Sequence, residues 1–427
     1  MRVPQDHPHR LQLYDEAHAR PAEALVAPLR LSYLALVCDE ARSEQAARMV
    51  DDLARRFGAA PPPPGANHYR ADLGAFRLKW ERHTEFTRYK FIAPDRVGDP
   101  FAEPALSAVP ADWVAALPGQ LTVATHVVLQ RADAAPSDLD RIAGQWFGGN
   151  ALVGAGIAGG AALAVTDYRI HGDGFGRLLV RDHAMTPGQA GRMIQRLLEL
   201  DTYRLLALLA LPVARELASP LSGCERELAR ITAALMSVRE ADEPLLLEQL
   251  TRLAAGIENR QSDNLYRFSA AAAYYELVRR RIAELREERI QGLQTFQEFI
   301  ERRLAPAMNT CDWVVARQDS LSQRVARATR LLSIRVAITQ ERQTQAVLES
   351  MNRRARLQLR LQETVEGLSV AAVTYYVVGL VGYAAKALRQ AGIDIDPELA
   401  MGVSIPIVAL LTALGVRRIR RMVARST

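Results

Sequence analysis

Residues 367–385 read GLSVAAVTYYVVGLVGYAA, nineteen positions without one charged side chain. A helix rises about 1.5 Å per residue, and a hydrocarbon core of about 30 Å takes about 20 apolar residues. The run is therefore long enough to cross a bilayer. A second uncharged run, LAMGVSIPIVALLTALGV, occupies 399–416. The segment between them is short enough for a helical hairpin. The alternative is a pair of buried helices in a soluble domain. It leaves the Arg-rich cluster behind the second run without a purpose. The expectation is transmembrane helix 1 over 367–388, a short external loop over 389–398, transmembrane helix 2 over 399–416 and a basic tail over 417–427.

Charge sets the expected orientation. Arg353, Arg354, Arg356 and Arg360 precede the first run, and Arg417, Arg418, Arg420, Arg421 and Arg425 follow the second. The loop carries Asp394, Asp396 and Glu398 against Lys386 and Arg389. Both outer flanks are basic, which places both termini in the cytoplasm. Arg417, Arg418, Arg420 and Arg421 are also suited to anionic headgroups. The net charge is +6, and removing the five arginines of the tail leaves +1. A nearly neutral body argues against a nucleic-acid surface. Cys38, Cys224 and Cys311 are widely spaced, with no Cys/His metal spacing, which points to a reducing compartment. The first twenty residues lack an apolar h-region and do not read as a signal peptide.

The remainder divides in two. Residues 1–185 read as an N-terminal mixed α/β cytosolic domain. LRLSYLALVC and LTVATHVVLQ have the composition of strands, and SEQAARMVDDLARRFG that of an amphipathic helix. ADLGAFRLKWERHTEFTRYKFIAP reads as a hairpin or a long bent strand, and HGDG at 171–174 as a turn between strands. Thr186 and Pro187 form a helix start, the first as N-cap and the second at N1. Residues 186–366 then read as a helical stalk, with breaks or kinks at Pro212, Pro220 and Pro306. Residues 307–366 hold no Pro or Gly. Leu321, Val325, Ala328, Leu332 and Val336 keep a spacing of three and four, as in a coiled coil. The fold class expected is α+β: a mixed sheet with helices, a helical or coiled-coil stalk and a two-helix transmembrane hairpin.

Motifs for chemistry are sparse. DEAH at 15–18 has a helicase spelling, but no lysine follows a glycine as a nucleotide-binding loop requires. GAGIAG at 154–159 matches a dinucleotide fingerprint, yet strand-like sequence follows it, and glycines in a sheet turn explain it better. In WERHTEF, an unbroken strand would point Glu81, His83 and Glu85 to one face, where they could hold a divalent cation. The competing reading is a solvated face paired with arginines. No catalytic residue is assigned and no cofactor is implied beyond that possible cation.

The first apolar run has an internal stripe. Ser369, Ala372, Tyr376, Gly379, Tyr383 and Lys386 are spaced 3-4-3-4-3 and share one helical face. A small and polar stripe faces other helices or water in preference to lipid. It is either a packing seam or a pore lining, with Asp394, Asp396 and Glu398 as an acidic rim in a ring of copies.

Two resemblances accompany these readings. HARP (18–21), RLKWERHTEFTRYKF (77–91), FGRLLVRDHAMTPGQAGRMIQRLLELDTYRLLALLALPVAR (175–215) and QETVEGLSVAAVTYYVVGLVGYAAKAL (362–388) resemble the domain-of-unknown-function family 3422 of membrane-anchored bacterial proteins. That resemblance implies an inner-membrane location and no activity. The order of domains also looks like the CorA-type magnesium channels. Gly382 matches the Gly of their Gly-Met-Asn, but Tyr383 and Ala384 replace the Met and Asn of the selectivity element, and DPEL at 396–399 resembles their following loop. A membrane-displayed enzyme using the Glu81, His83 and Glu85 face is one expectation, and two others are non-enzymatic. One is a non-enzymatic, membrane-anchored scaffold holding an unknown cytosolic protein partner. The other is a homo-oligomeric ion channel lined by transmembrane helix 1.

Overall fold

The structure is a computed structural model that describes residues 6–11, 13–14, 22–95, 99–132, 138–390 and 396–423. The chain forms two compact units, one of residues 1–237 with 248–328 and one of residues 238–247 with 329–427. Position 185 falls within the first unit, which takes in the helical sequence to 237 and over 248–328, and residues 329–366 fall in the second.

The first unit is built on an eight-stranded sheet. In chain order the strands are β1 (Leu29–Val37), β2 (His68–Asp72), β3 (Arg77–Arg82), β4 (Phe86–Pro94), β5 (Gln120–Arg131), β6 (Val153–Ile157), β7 (Ala162–Thr166) and β8 (Gly176–Asp182). Their order across the sheet is β2-β3-β4-β1-β5-β8-β7-β6. Every pairing is antiparallel except β5 with β8. The GAGIAG stretch is the β6–β7 hairpin. Gly159 and Gly160 turn at positive φ, and a Cβ on Gly154 would lie 2.4 Å from the Ala164 carbonyl oxygen. The glycines serve close strand packing, as the turn reading expected. The outer edge of β6 is covered, because Gly156 exchanges backbone hydrogen bonds with Glu288 and Gly154 donates to Gln294.

Helices cover both sheet faces. On one side, α1 (Glu40–Arg56) and α2 (Ala111–Ala115) supply Val50, Leu53 and Trp113 to an apolar core with Leu34, Leu78, Trp80, Tyr89 and Phe91. A third helix, α3 (Leu139–Trp146), contributes Ile142 to a second apolar cluster around Val128, Phe147 and Leu179. On the other side lies α4 (Pro187–Leu208), begun by a capping box in which Thr186 and Gln189 bond each other's backbone. Thr202 of α4 bonds the Tyr33 hydroxyl of β1 at 2.8 Å. After α4 come α5 (Ala210–Leu235), α6 (Glu243–Leu285), α7 (Phe296–Arg303) and α8 (Ala305–Gln390). Pro212 falls in the first turn of α5, where its missing N–H costs nothing, and Pro220 lies within that helix. With no Pro or Gly over 307–366, α8 continues as one helix of 86 residues.

The second unit holds the C-terminal part of α8 together with α9 (Pro397–Val423). Gly382 of α8 meets α9, since a Cβ there would lie 2.5 Å from the Met401 sulfur. Ala385, one turn on, is 5% exposed. Three helical stretches are long and apolar enough to cross a membrane by length and composition: Pro187–Leu235, Phe296–Arg389 and Pro397–Arg418. They differ in burial. One third of the most apolar window of the first lies inside the fold, against none of the third.

Candidate functional site

The chemistry-bearing residues of the first unit collect where β3 and β4 meet α4 and α6. Strand alternation sends Trp80, Tyr89 and Phe91 to the apolar core, and so sends Lys79, Glu81, Arg88 and Lys90 to the opposite face. The antiparallel register sets Glu81 directly across from Arg88, and Lys79 directly across from Lys90. The first pair attracts, and the second is a like-charge pair that destabilises unless something intervenes. All four side chains are buried.

The network extends into the helices. Arg88 binds Glu81 within the hairpin and donates to Glu199 of α4 at 3.1 Å. Glu199 also receives Arg281 of α6 at 2.5 Å and the Gln195 amide at 2.9 Å. Arg281 and Arg196 both reach Glu284. Lys79 lies 2.9 Å from Glu81. Among the described residues Lys90 has only the Gln195 amide oxygen, at 3.5 Å, and no carboxylate within ion-pair reach. Each ionised group here has left water at a cost of several kcal/mol, which only close opposite charges offset.

Acidity follows this arrangement. Burial alone would push the Glu81 carboxyl up, but Arg88, Lys90 and Lys79 outweigh it and hold it at about 2. Glu199 is likewise lowered, with Arg88 and Arg281 overcoming burial. Lys90 is pulled down to about 7, first by burial and then by the neighbouring Arg88. The Tyr203 hydroxyl is pushed up by burial and by Glu199.

Beside the network lies a cavity of about 460 Å³, lined by Asn67, Arg82, His83, Thr84, Phe86, Tyr203, Tyr274 and Leu277. Its walls are aromatic. Tyr203 and Tyr274 stack at 5.7 Å and 19°, and His83 stacks on Phe86 at 4.3 Å and 11°. Arg82 is held by two bonds to the Asn67 side-chain oxygen, at 3.1 and 3.3 Å, and by its backbone. Glu85, at the turn, accepts from Arg267 of α6 at 2.9 Å and so fixes the hairpin end. A second cavity, of about 560 Å³, borders Arg82 from the proline-rich loop, where Glu44 and Asp51 balance Arg48 and Arg55.

The expected cation triad does not assemble. WERHTEF is a hairpin turn, with β3 ending at Arg82 and β4 beginning at Phe86. Glu81 is consumed by Lys79 and Arg88, and Glu85 by Arg267. Among the described residues no three His, Cys, Asp or Glu side chains converge as a metal site would require. The unbroken alternation assumed for residues 81–85 fails because the chain reverses between them.

In the second unit the stripe of α8 stays on one face. Ser369, Ala372, Tyr376, Tyr383 and Lys386 are exposed and Gly379 is half-buried. The contact with α9 runs through Gly382 and Ala385, one step away from the stripe. Asp396 caps α9, its carboxylate accepting from the Glu398 backbone at 3.0 Å. Asp394 lies outside the described residues, as do the side chains of Arg420 and Arg421, while Arg417 and Arg418 are exposed.

Sequence reasoning missed Glu199, Arg281, Lys90 and Tyr203. The signal available was the alternation of RLKWER and TRYKF, which puts five charges (Arg77, Lys79, Glu81, Arg88 and Lys90) on one sheet face. Two hairpin strands do not tell that a helix covers that face.

Residues 5–423 match the family described as Protein of unknown function (DUF3422), and the chain belongs to that family. No curated protein and no solved structure matches it.

Proposed function

We propose that this member of a family without an assigned activity is a membrane-anchored, non-enzymatic binding protein. The C-terminal hairpin is the anchor, in a bacterial inner membrane with both termini cytoplasmic, and the α/β unit holds a cytosolic partner. The observation that carries the reading is the apolar surface of α8 and α9. Leu368, Tyr375, Leu380, Leu410 and Leu411 are each more than 60% exposed, and nothing among the described residues covers them. Such a surface is stable in lipid and aggregates in water. Most of the buried charges of the α/β unit are held in ion pairs, which suits a rigid binding scaffold better than a catalyst. Truncation after Arg360 tests it. The shortened protein should be soluble without detergent and keep the partner that the full chain holds. Loss of that partner with the hairpin would overturn the scaffold reading.

A second reading rests on the stripe. Ser369, Tyr376 and Tyr383 face away from α9, and a polar face turned to lipid is unfavourable. Other copies of the chain are its natural cover, and a ring of them would form an ion path. The mass of the detergent complex decides between the two. A monomer or dimer cannot enclose a path, whereas a ring of four or more would make Gly379→Leu a substitution that alters ion flux in liposomes.

A further inference from the structure

We propose that the cavity between the β3–β4 turn and helices α4 and α6 binds a small organic anion with a flat ring, of the size of a nucleoside monophosphate. This goes beyond anchoring and scaffolding and does not depend on them. Three observations point to it.

The first is charge. Arg82 lines the cavity and makes its side-chain bonds to a neutral amide, with no carboxylate partner among the described residues. Behind the wall, Glu81 and Glu199 are engaged by Lys79, Arg88 and Arg281, while Lys90 has only an amide. Arg82, half-buried at the cavity, is therefore left without a matching carboxylate among the described residues. An anion restores the balance.

The second is an unused hydroxyl. Tyr203 is 7% exposed and lines the cavity, yet its hydroxyl makes no hydrogen bond among the described residues. Its neighbours through space are Glu199, Arg88 and Arg281, so it links the cavity to the ion network. The hydroxyl is therefore available to bond a ligand acceptor in the cavity. The third observation is the lining. The Tyr203–Tyr274 and His83–Phe86 pairs line the cavity together with Leu277, and the surface they open to it is more polar than apolar. A ligand ring meets the edges of such rings and their polar atoms. The volume, about 460 Å³, is in the range of small-molecule sites.

In the resulting arrangement Arg82 pairs with the anionic group, Thr84 and Tyr203 donate to it, and the ring lies against the aromatic walls. Arg82 also borders the cavity of Glu44 and Asp51, where those two carboxylates stand beside Arg48 and Arg55.

Isothermal titration of the full chain in detergent tests this, with adenosine monophosphate and salicylate as probes. At least one should bind with a Kd below about 1 mM. Adenosine, which lacks the anion, and inorganic phosphate, which lacks the ring, should each bind at least about tenfold more weakly than adenosine monophosphate. Arg82→Gln should weaken binding about tenfold or more, and Tyr203→Phe about threefold, with the circular dichroism unchanged. Should Arg82→Gln fail to fold, Leu277→Trp fills the rim and must abolish the signal. Binding of neither probe, or affinity unmoved by these substitutions, would overturn the proposal.

Discussion

Between β4 and α4, Arg88 and Glu199 sit in contact and are almost wholly buried. Along α8 and α9, by contrast, Leu380 and Leu410 stand more than 60% exposed. The two regions carry their polarity in opposite places. In the first, charge lies inside, and except at Lys90 strand register and helix packing bring an opposite charge to it. In the second, apolar surface lies outside, and no internal partner relieves it. The first arrangement is largely paired within one chain. The second is left open among the described residues. Burial of charge and exposure of carbon are thus separate exceptions to the usual distribution, and they ask for different partners.

The largest test of the contrast is to remove the outer apolar surface. Ending the chain after Arg360 should abolish the need for detergent, read as a monodisperse peak in aqueous size-exclusion chromatography. Aggregation of that species would show that the α/β unit has its own unsatisfied surface. Next comes the inner charge. Glu81→Gln leaves Arg88 and Lys79 short of a counter-ion and should cost about 3–5 kcal/mol in denaturant melts. It should also remove part of the acid sensitivity. The Glu81 carboxyl sits at about 2 in the folded protein, against roughly 4.3 unfolded. Its stabilisation is present above that unfolded value and is lost as pH falls toward the folded one.

Lys90 should behave in the opposite sense. Its ammonium is held at about 7 in the fold and at roughly 10.4 when unfolded. The unfolded chain therefore binds the extra proton between those values, and stability should rise with pH across that window. Lys90→Met should flatten the rise and, at neutral pH, be neutral or stabilising by up to about 1–4 kcal/mol. A large loss of stability would show that the ammonium is better paired than its single amide contact suggests. Thr186→Ala removes the cap of α4 and should cost about 1 kcal/mol. Gly382→Ala should cost less than about 1 kcal/mol, since the atoms in the way belong to the flexible end of Met401.

Much of this molecule is legible along the chain. The uncharged runs at 367–385 and 399–416, the Thr186 cap, the turn at HGDG and the Pro- and Gly-free stretch of 307–366 are local signals, and the helices, cap and turn follow them closely. The candidate site is not legible in the same way. Glu81, His83 and Glu85 look like one strand face only while the chain is taken as unbroken, and a turn at residues 83–85 separates them.

What the sequence determined by itself is periodicity: which side chains share a side of a strand or a helix, where helices must start, and which stretches avoid charge. These depend on neighbours a few residues apart. Only the tertiary structure decided that the charged face of β3 and β4 lies under α4 and not in water. Arg88 and Glu199 are separated by 111 positions, and Arg267 and Glu85 by 182. A charged strand face is stable either solvated or covered by opposite charge. The local sequence is the same in both cases, so the choice rests on which distant helix packs there.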